Sequence, residues 1–337
     1  MTTRRSYDVA LRLHRAAYRV RAPNVVFAFS CRGDRMLSTA GTDPAGEHLR
    51  YEIGSVSKTF AALLLAELVA TGRLDYDTPA GACLPSPTSR GPRGITLLHL
   101  ATHTSGLPGL PRDPFFYRQA LPRWTTNVYA GYPRWRLLRA FHHHRGHTPP
   151  GSRWGYSNFG VAVLGHALAH HAATPYPELL ARHVLRPLGL DDTCLRPGPP
   201  GTDALGHRAG GAPVPPLDLG GFTAAGAVRA TPHDLLTYLE AHLDPDGSPL
   251  ATALHAVHEV HTAPSPRTAP ARSLTWFRTD TEHGPIYFHG GATFGHHAYL
   301  GYRPATRTAL AAVASRRYTR RHNLLATAHD LLTTLRP

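Results

Sequence analysis

A chain of 337 residues with 42% hydrophobic content can bury a large core and form one big domain or two interleaved ones. Its formal charge of +14 comes from 36 Lys and Arg against 22 Asp and Glu. The arginines are scattered rather than gathered into a stripe, so no nucleic-acid partner is expected, and the basic surface is left to steer an acidic substrate or partner. Residues 1–20 have no apolar signal-like core, and no run of about eighteen apolar residues follows, so the sequence reads as a cytoplasmic protein with no membrane partner.

In chain order, residues 6–18 have helical periodicity, and 24–32, 35–41 and 49–54 read as strands separated by Gly, Asp and Pro signals. Residues 55–70 are apolar nearly all round, which predicts a helix buried in the middle of the molecule, with Gly72 as its C′ residue. Short helices at 96–103, 158–171, 176–186 and 232–243 follow, the last with Thr231 as N-cap and Pro232 at its first position. The loop-rich span 106–150 is too long for a mere connector and is assigned to the lining of a site. Strand signals return in "SLTWFRTD", "PIYFHGG", "HHAYLGYR" and "RTALAAVAS", and 322–335 closes as a helix. Strands at both ends around a helical middle predict an α/β (α+β) protein: 1–75 plus 260–337 carry an antiparallel sheet, 76–259 is a mostly helical insertion, and a cleft lies between them.

Cys31, Cys83 and Cys194 are widely spaced and read as buried thiols. The "FHHHRGH" stretch at 141–147 has no nearby carboxylate or metal-binding frame and reads as a solvated loop, so no metal or other cofactor is expected.

One residue stands apart. Lys58 is the only lysine, the other 35 of the 36 strong bases being arginine. Arginine cannot release its proton in a protein, whereas a desolvated lysine can serve as a base. Ser55 lies three residues before it and on a helix shares its face, with the hydroxyl at the positive N-terminal end. That pairing describes an activated nucleophile. Further along, "PPGSRWGYSNFGVAVLGHAL" sets Tyr156, Ser157 and Asn158 before a helix, and "YFHGGATFGHHAYLGYRP" sets His289, Gly290 and Gly291 at a strand end.

With S-x-x-K, Y-S-N and H-G-G in this order, the chain resembles the serine β-lactamase and penicillin-binding-protein superfamily, in its class C, DD-peptidase and esterase branch. The segments "ITLLHLATHTSGLP", "LRPLGLDDT" and "AAGAVRATPHDLLTYL" resemble linking segments of the same branch. The resemblance implies a β-lactamase/DD-peptidase-like fold, with Ser55 as nucleophile and Lys58 as its proton acceptor or electrostatic partner. It makes Tyr156 the proton relay to the leaving group, and Asn158 the amide that binds an acyl-side carbonyl and Lys58. The oxyanion hole would be the N–H groups of Ser55 and Ala292, with Gly290 and Gly291 allowing close backbone approach.

Two departures stand out. His289 and Gly290 occupy the places of the usual lysine and threonine, weakening the cation and hydroxyl that hold a substrate carboxylate. No class A-type deacylating glutamate is evident, which passes the base role to Tyr156. The expected function is a serine hydrolase acting on an ester or amide of a small molecule or peptide. The alternative is an acyltransferase, transesterase or peptide cyclase drawing on thioesters of an acidic acyl-carrier protein or coenzyme A. A binding or sensor protein without turnover is the third.

Overall fold

The N-terminal amphipathic run forms α1 (Thr3–Arg19) in the computed structural model, which describes residues 3–42, 46–85, 92, 94–146, 148–259, 271–319 and 323–335. The hairpin β1 (Asn24–Cys31) and β2 (Asp34–Gly41) turns on Arg32 and Gly33, both at positive φ, as a two-residue loop between right-twisted strands requires. The strand expected over 49–54 is shorter: β3 (Tyr51–Glu52) ends where Gly54, at φ +53°, turns the chain into a 3₁₀ turn spanning Gly54–Val56. From that turn runs α2 (Ser57–Ala70), buried on nearly every side. It closes in a double-bonded C-cap: Arg73 N–H donates to Leu68 O, and Gly72 N–H, at φ +69°, donates to Val69 O.

Next come α3 (Leu97–Ala101), α4 (Pro114–Ala120), α5 (Arg134–His142) and α6 (Asn158–His171). The span expected as loop thus holds two helices. It also holds part of the histidine run, because Phe141 and His142 are buried at the end of α5 rather than solvated; His147 lies outside the described residues. After α7 (Tyr176–Leu180), which continues as one π-helical turn, come α8 (Thr223–Gly226) and β4 (Arg229–Ala230), which pairs with β3. Then α9 (Pro232–Leu243) starts on Thr231, whose hydroxyl accepts from Asp234 N–H at 3.2 Å, and α10 (Ala251–Ala256) follows.

The strands β5 (Ala271–Arg272), β6 (Phe277–Thr279), β7 (Ile286–Ala292), β8 (His297–Arg303) and β9 (Thr308–Ala314) precede α11 (Leu324–Thr334). The single strand expected over "SLTWFRTD" is broken, because Thr275 takes φ +60° and turns the chain between β5 and β6. Among the described residues the main sheet is antiparallel with order β2-β1-β9-β8-β7-β6-β5, so its first and last segments are neighbours: Val26 faces Val313. Period-two alternation in β1 splits the core. Phe27 and Phe29 pack with Leu13, Leu310 and Leu332 under α1 and α11, whereas Val26 and Ala28 join the core around α2. Helix α9 also lies on the sheet: Ser30 Oγ donates to Glu240 Oε1 at 2.6 Å, and Arg35 pairs with the same carboxylate. Among the described residues, no helix is long and apolar enough to cross a membrane.

Candidate active site

Ser55 and Lys58 meet because the 3₁₀ turn feeds directly into α2. Lys58 Nζ lies 3.0 Å from Ser55 Oγ and donates to Ala225 O at 2.7 Å. The lysine is 0% exposed, and burial pulls its pKa from 10.5 down to about 7. Its amine faces the Tyr156 ring, 5.0 Å from the centroid. The neutral amine therefore has both an anchor and a nearby hydroxyl from which to accept a proton.

Strand β7 closes on this turn through glycine. A Cβ on Gly291 would fall 1.9 Å from Ile53 O and 3.1 Å from Ser55 N, and one on Gly54 would fall 2.6 Å from Ala292 O. Only backbone without side chains reaches this contact. Ser55 and Ala292 both line the resulting cleft, a geometry suited to two N–H donors aimed at one oxyanion. Gly290 points the other way: its missing Cβ would meet Leu325 of α11 at 2.2 Å, so it lies on the sheet face away from Ser55. The intervening backbone, not Gly290's own side-chain position, serves the cleft.

His289 is 1% exposed. Its Nδ1–H donates to Gly290 O at 2.8 Å, and Nε2 has no partner among the described residues. Burial, reinforced by the Lys58 charge, pushes its pKa down to about 3, so it is a neutral imidazole and supplies no cation. Tyr156 is likewise desolvated. Burial drives its pKa well above 10, against the pull of a hydrogen bond with Ser55, so the phenol keeps its proton. Asn158 is close but differently engaged: its Nδ2 donates to Tyr129 OH at 3.0 Å, and no Asn158–Lys58 bond occurs among the described residues.

Several residues of the site were not singled out from sequence. His103, at the unusual φ of +59°, is buried with its ring 4.7 Å from that of Tyr156. Its Nδ1 accepts from Ser157 N–H at 3.2 Å, which fixes the backbone beside Tyr156 and places the proton on Nε2. Burial, then the charges at Lys58, His289 and Arg272, hold it far below the usual histidine pKa. Its only sequence signal was its place in "HTSGLP". Glu52, from β3, accepts from Arg229 Nη2 and from Leu217 N–H, each at 2.8 Å, and lies 3.4 Å from His296 Nδ1. Burial alone would raise its pKa, but the His296 and Arg229 contacts lower it below the ordinary carboxylate range. The bond to Leu217 ties the cleft wall to β3.

The cleft has a volume of about 360 Å³ and opens beside Ser55 between Asn158, Tyr129 and Phe222 on one side and Ala292–Phe294 on the other. That volume is in the range of small-molecule sites.

A family model described as Beta-lactamase matches residues 14–334. A Beta-lactamase of Pseudomonas fluorescens is 31% identical over 222 residues, covering 64% of this chain and 57% of that protein. The D-alanyl-D-alanine-carboxypeptidase/endopeptidase AmpH of Escherichia coli (strain K12) is 29% identical over 227 residues, 63% of this chain and 55% of that one. The matches thus span little more than half the length of these relatives. Among solved structures, a class C β-lactamase aligns over 99% of this chain and 97% of its own with a TM-score of 0.83 at 20% identity. A β-lactamase/D-alanine carboxypeptidase from Pseudomonas syringae does so over 99% and 100% with a TM-score of 0.85 at 18%. At such identities these structures speak for the fold. Since the family model covers nearly the whole chain, this protein belongs to the β-lactamase family, within the serine β-lactamase and penicillin-binding-protein superfamily.

Proposed function

We propose that the protein is a serine hydrolase that cleaves an ester or amide through an acyl-enzyme on Ser55. The observation that carries this reading is the buried Lys58 amine, with its pKa near 7, held 3.0 Å from Ser55 Oγ. Neutral Lys58 takes the Ser55 proton as Oγ attacks the carbonyl carbon, and the N–H groups of Ser55 and Ala292 receive the negative charge that forms on the carbonyl oxygen. The Tyr156 phenol gives its proton to the leaving group as the carbon–heteroatom bond breaks, and recovers one from the Lys58 ammonium. Water then attacks the acyl carbon with Lys58, neutral again, accepting its proton; the Ser55 Oγ–carbon bond breaks, the acid departs, and the Lys58 ammonium 3.0 Å away returns the proton to Ser55 Oγ. The deacylating base is thereby Lys58 rather than Tyr156, because burial raises the pKa of the phenol and lowers that of the amine to about 7.

A serine-directed phosphonate tests the assignment. Peptide mapping is expected to find the adduct on Ser55 alone, with labelling abolished in Ser55→Ala. An adduct on another residue, or ester turnover by Ser55→Ala, would remove Ser55 from the mechanism. Adding amine or alcohol acceptors to the turnover assay separates hydrolysis from acyl transfer, since both share the first half-reaction.

A further inference from the structure

Between Asp113 and Glu178 the sequence has no acidic residue, seven arginines and three of the four tryptophans. The structure folds the first part of this run, α4 and α5 with the turn between them, into one surface. The Arg136 guanidinium of α5 lies 4.0 Å from the centre of the Phe115 ring of α4, and Arg123 Nη1 donates to Ala130 O at 3.2 Å across the turn. On the inner side Phe116 and Tyr132 are buried, with ring centres 5.9 and 6.0 Å from that of Phe222, which roots the segment in the core. The outer side faces solvent. Of the eight large hydrophobic side chains that stand out into solvent among the described residues, Tyr117, Leu121, Trp124 and Trp135 come from this segment. Leu121 is 75% exposed and Trp124 55%, on a turn whose residues 121–125 are all exposed.

Single apolar side chains at a surface need no explanation, but four on one segment with cations beside them mark an interaction site. We infer that this surface docks the protein on an anionic lipid bilayer. Charge complementarity gives the sign of the partner. Arg118, Arg123, Arg134 and Arg139 are exposed on the segment, and the acid at its start, Asp113, is already engaged by Tyr132 OH and Arg136. Shape gives its kind. Leu121 and Trp124 stand on an exposed turn and do not line the cleft, so they can enter the headgroup and upper acyl region while the arginines stay at the phosphates. Peripheral binding of this sort needs no spanning segment, and it replaces the expectation of no membrane partner, which rested on the lack of a long apolar run. The segment also reaches the active site: Tyr129 lines the cleft, and Asn127 Nδ2 donates to Asp218 O at 2.6 Å, between Leu217 and Leu219 of the cleft wall. A docked bilayer thus lies beside the cleft, although docking does not depend on the reaction at Ser55.

Co-sedimentation with vesicles tests it, using phosphatidylcholine alone and phosphatidylcholine with about 30% phosphatidylglycerol. Partitioning onto the anionic vesicles is expected to be at least about tenfold stronger at low ionic strength, and to weaken as salt is added. Leu121→Ser combined with Trp124→Ser is expected to lower it at least about tenfold, with circular dichroism and Tm unchanged because both side chains are exposed. Charge is tested by two pairs. Arg118→Gln with Arg139→Gln removes two cations from the surface, whereas Arg15→Gln with Arg19→Gln removes two from α1, which packs on the other core. The first pair is expected to weaken binding distinctly more than the second. Equal losses would mean that net charge and not this surface holds the vesicle, and would overturn the proposal. So would the lack of a preference for phosphatidylglycerol, or partitioning that the Leu121 and Trp124 changes leave intact. Retention on immobilised polyglutamate without binding to anionic vesicles overturns the bilayer and points to an acidic protein instead.

Discussion

At Lys58 the deciding quantity is desolvation. A lysine in water is nearly all ammonium at pH 7, whereas burial that brings its pKa to about 7 leaves about half of it as free amine. Since the neutral form is the base, acylation is expected to rise with pH across roughly 6 to 8, with its midpoint near 7. Tyr156, pushed upward by burial, adds no rising limb below pH 10. Burst measurements with an activated ester give this profile directly; a midpoint near 10.5, the ordinary lysine value, would mean that burial does not supply the free amine. Lys58→Arg keeps the charge but cannot release a proton, and is expected to lower acylation by at least about 10²-fold in a folded protein. A loss under about tenfold would mean that the lone lysine does not move the proton.

The element that positions the chemistry is the contact between β7 and the 3₁₀ turn ahead of α2. Backbone meets backbone there, so the clash of an added methyl cannot be relieved by rotating a side chain. Gly291→Ala is therefore expected to separate the N–H groups of Ser55 and Ala292, with an acylation loss of about 10²-fold or more and a lower Tm. Gly290→Ala meets only the flexible end of Leu325 and is expected to cost distinctly less in both assays. Equal losses would show that the close approach of β7 to Ser55 is not what the second glycine is needed for. The H-G-G motif marked the right strand end in the sequence. Which of its glycines faces the serine depended on the pleat of β7, and so on register against β8.

On the scale of the whole molecule, Glu52, Arg229 and His296 join β3, β4 and the segment before β8, and Glu52 also holds Leu217 of the cleft wall. Both members of the Glu52–Arg229 pair are almost fully buried, so removing one charge strands the other. Glu52→Gln is expected to cost about 3–5 kcal/mol in urea unfolding and to loosen the cleft. Because the folded pKa of Glu52 lies below its ordinary 4.5, the stability it contributes is present above 4.5 and is lost as pH falls through the folded value. Comparing unfolding at pH 7 and pH 4 in wild type and Glu52→Gln checks the sign: the variant is expected to lose less on acidification.

The sequence by itself determined what depends on short spacings and on order. The lone lysine stood three residues from Ser55, the apolar run of α2 marked a buried helix, and three motifs in sequence implied the fold. The tertiary structure decided what depends on distant groups meeting. Lys58 reaches Ala225, 167 positions away, and His103 reaches Ser157, 54 positions away. Asn158 turns to Tyr129, 29 positions back, rather than to Lys58. The charge state of His289 belongs to the same class, because desolvation is a property of everything packed around a group and has no signature in its neighbours along the chain. So too does the place of Arg317: one arginine among 35 in the sequence, it comes to line the cleft only when the segments after β9 and after β7 are brought together.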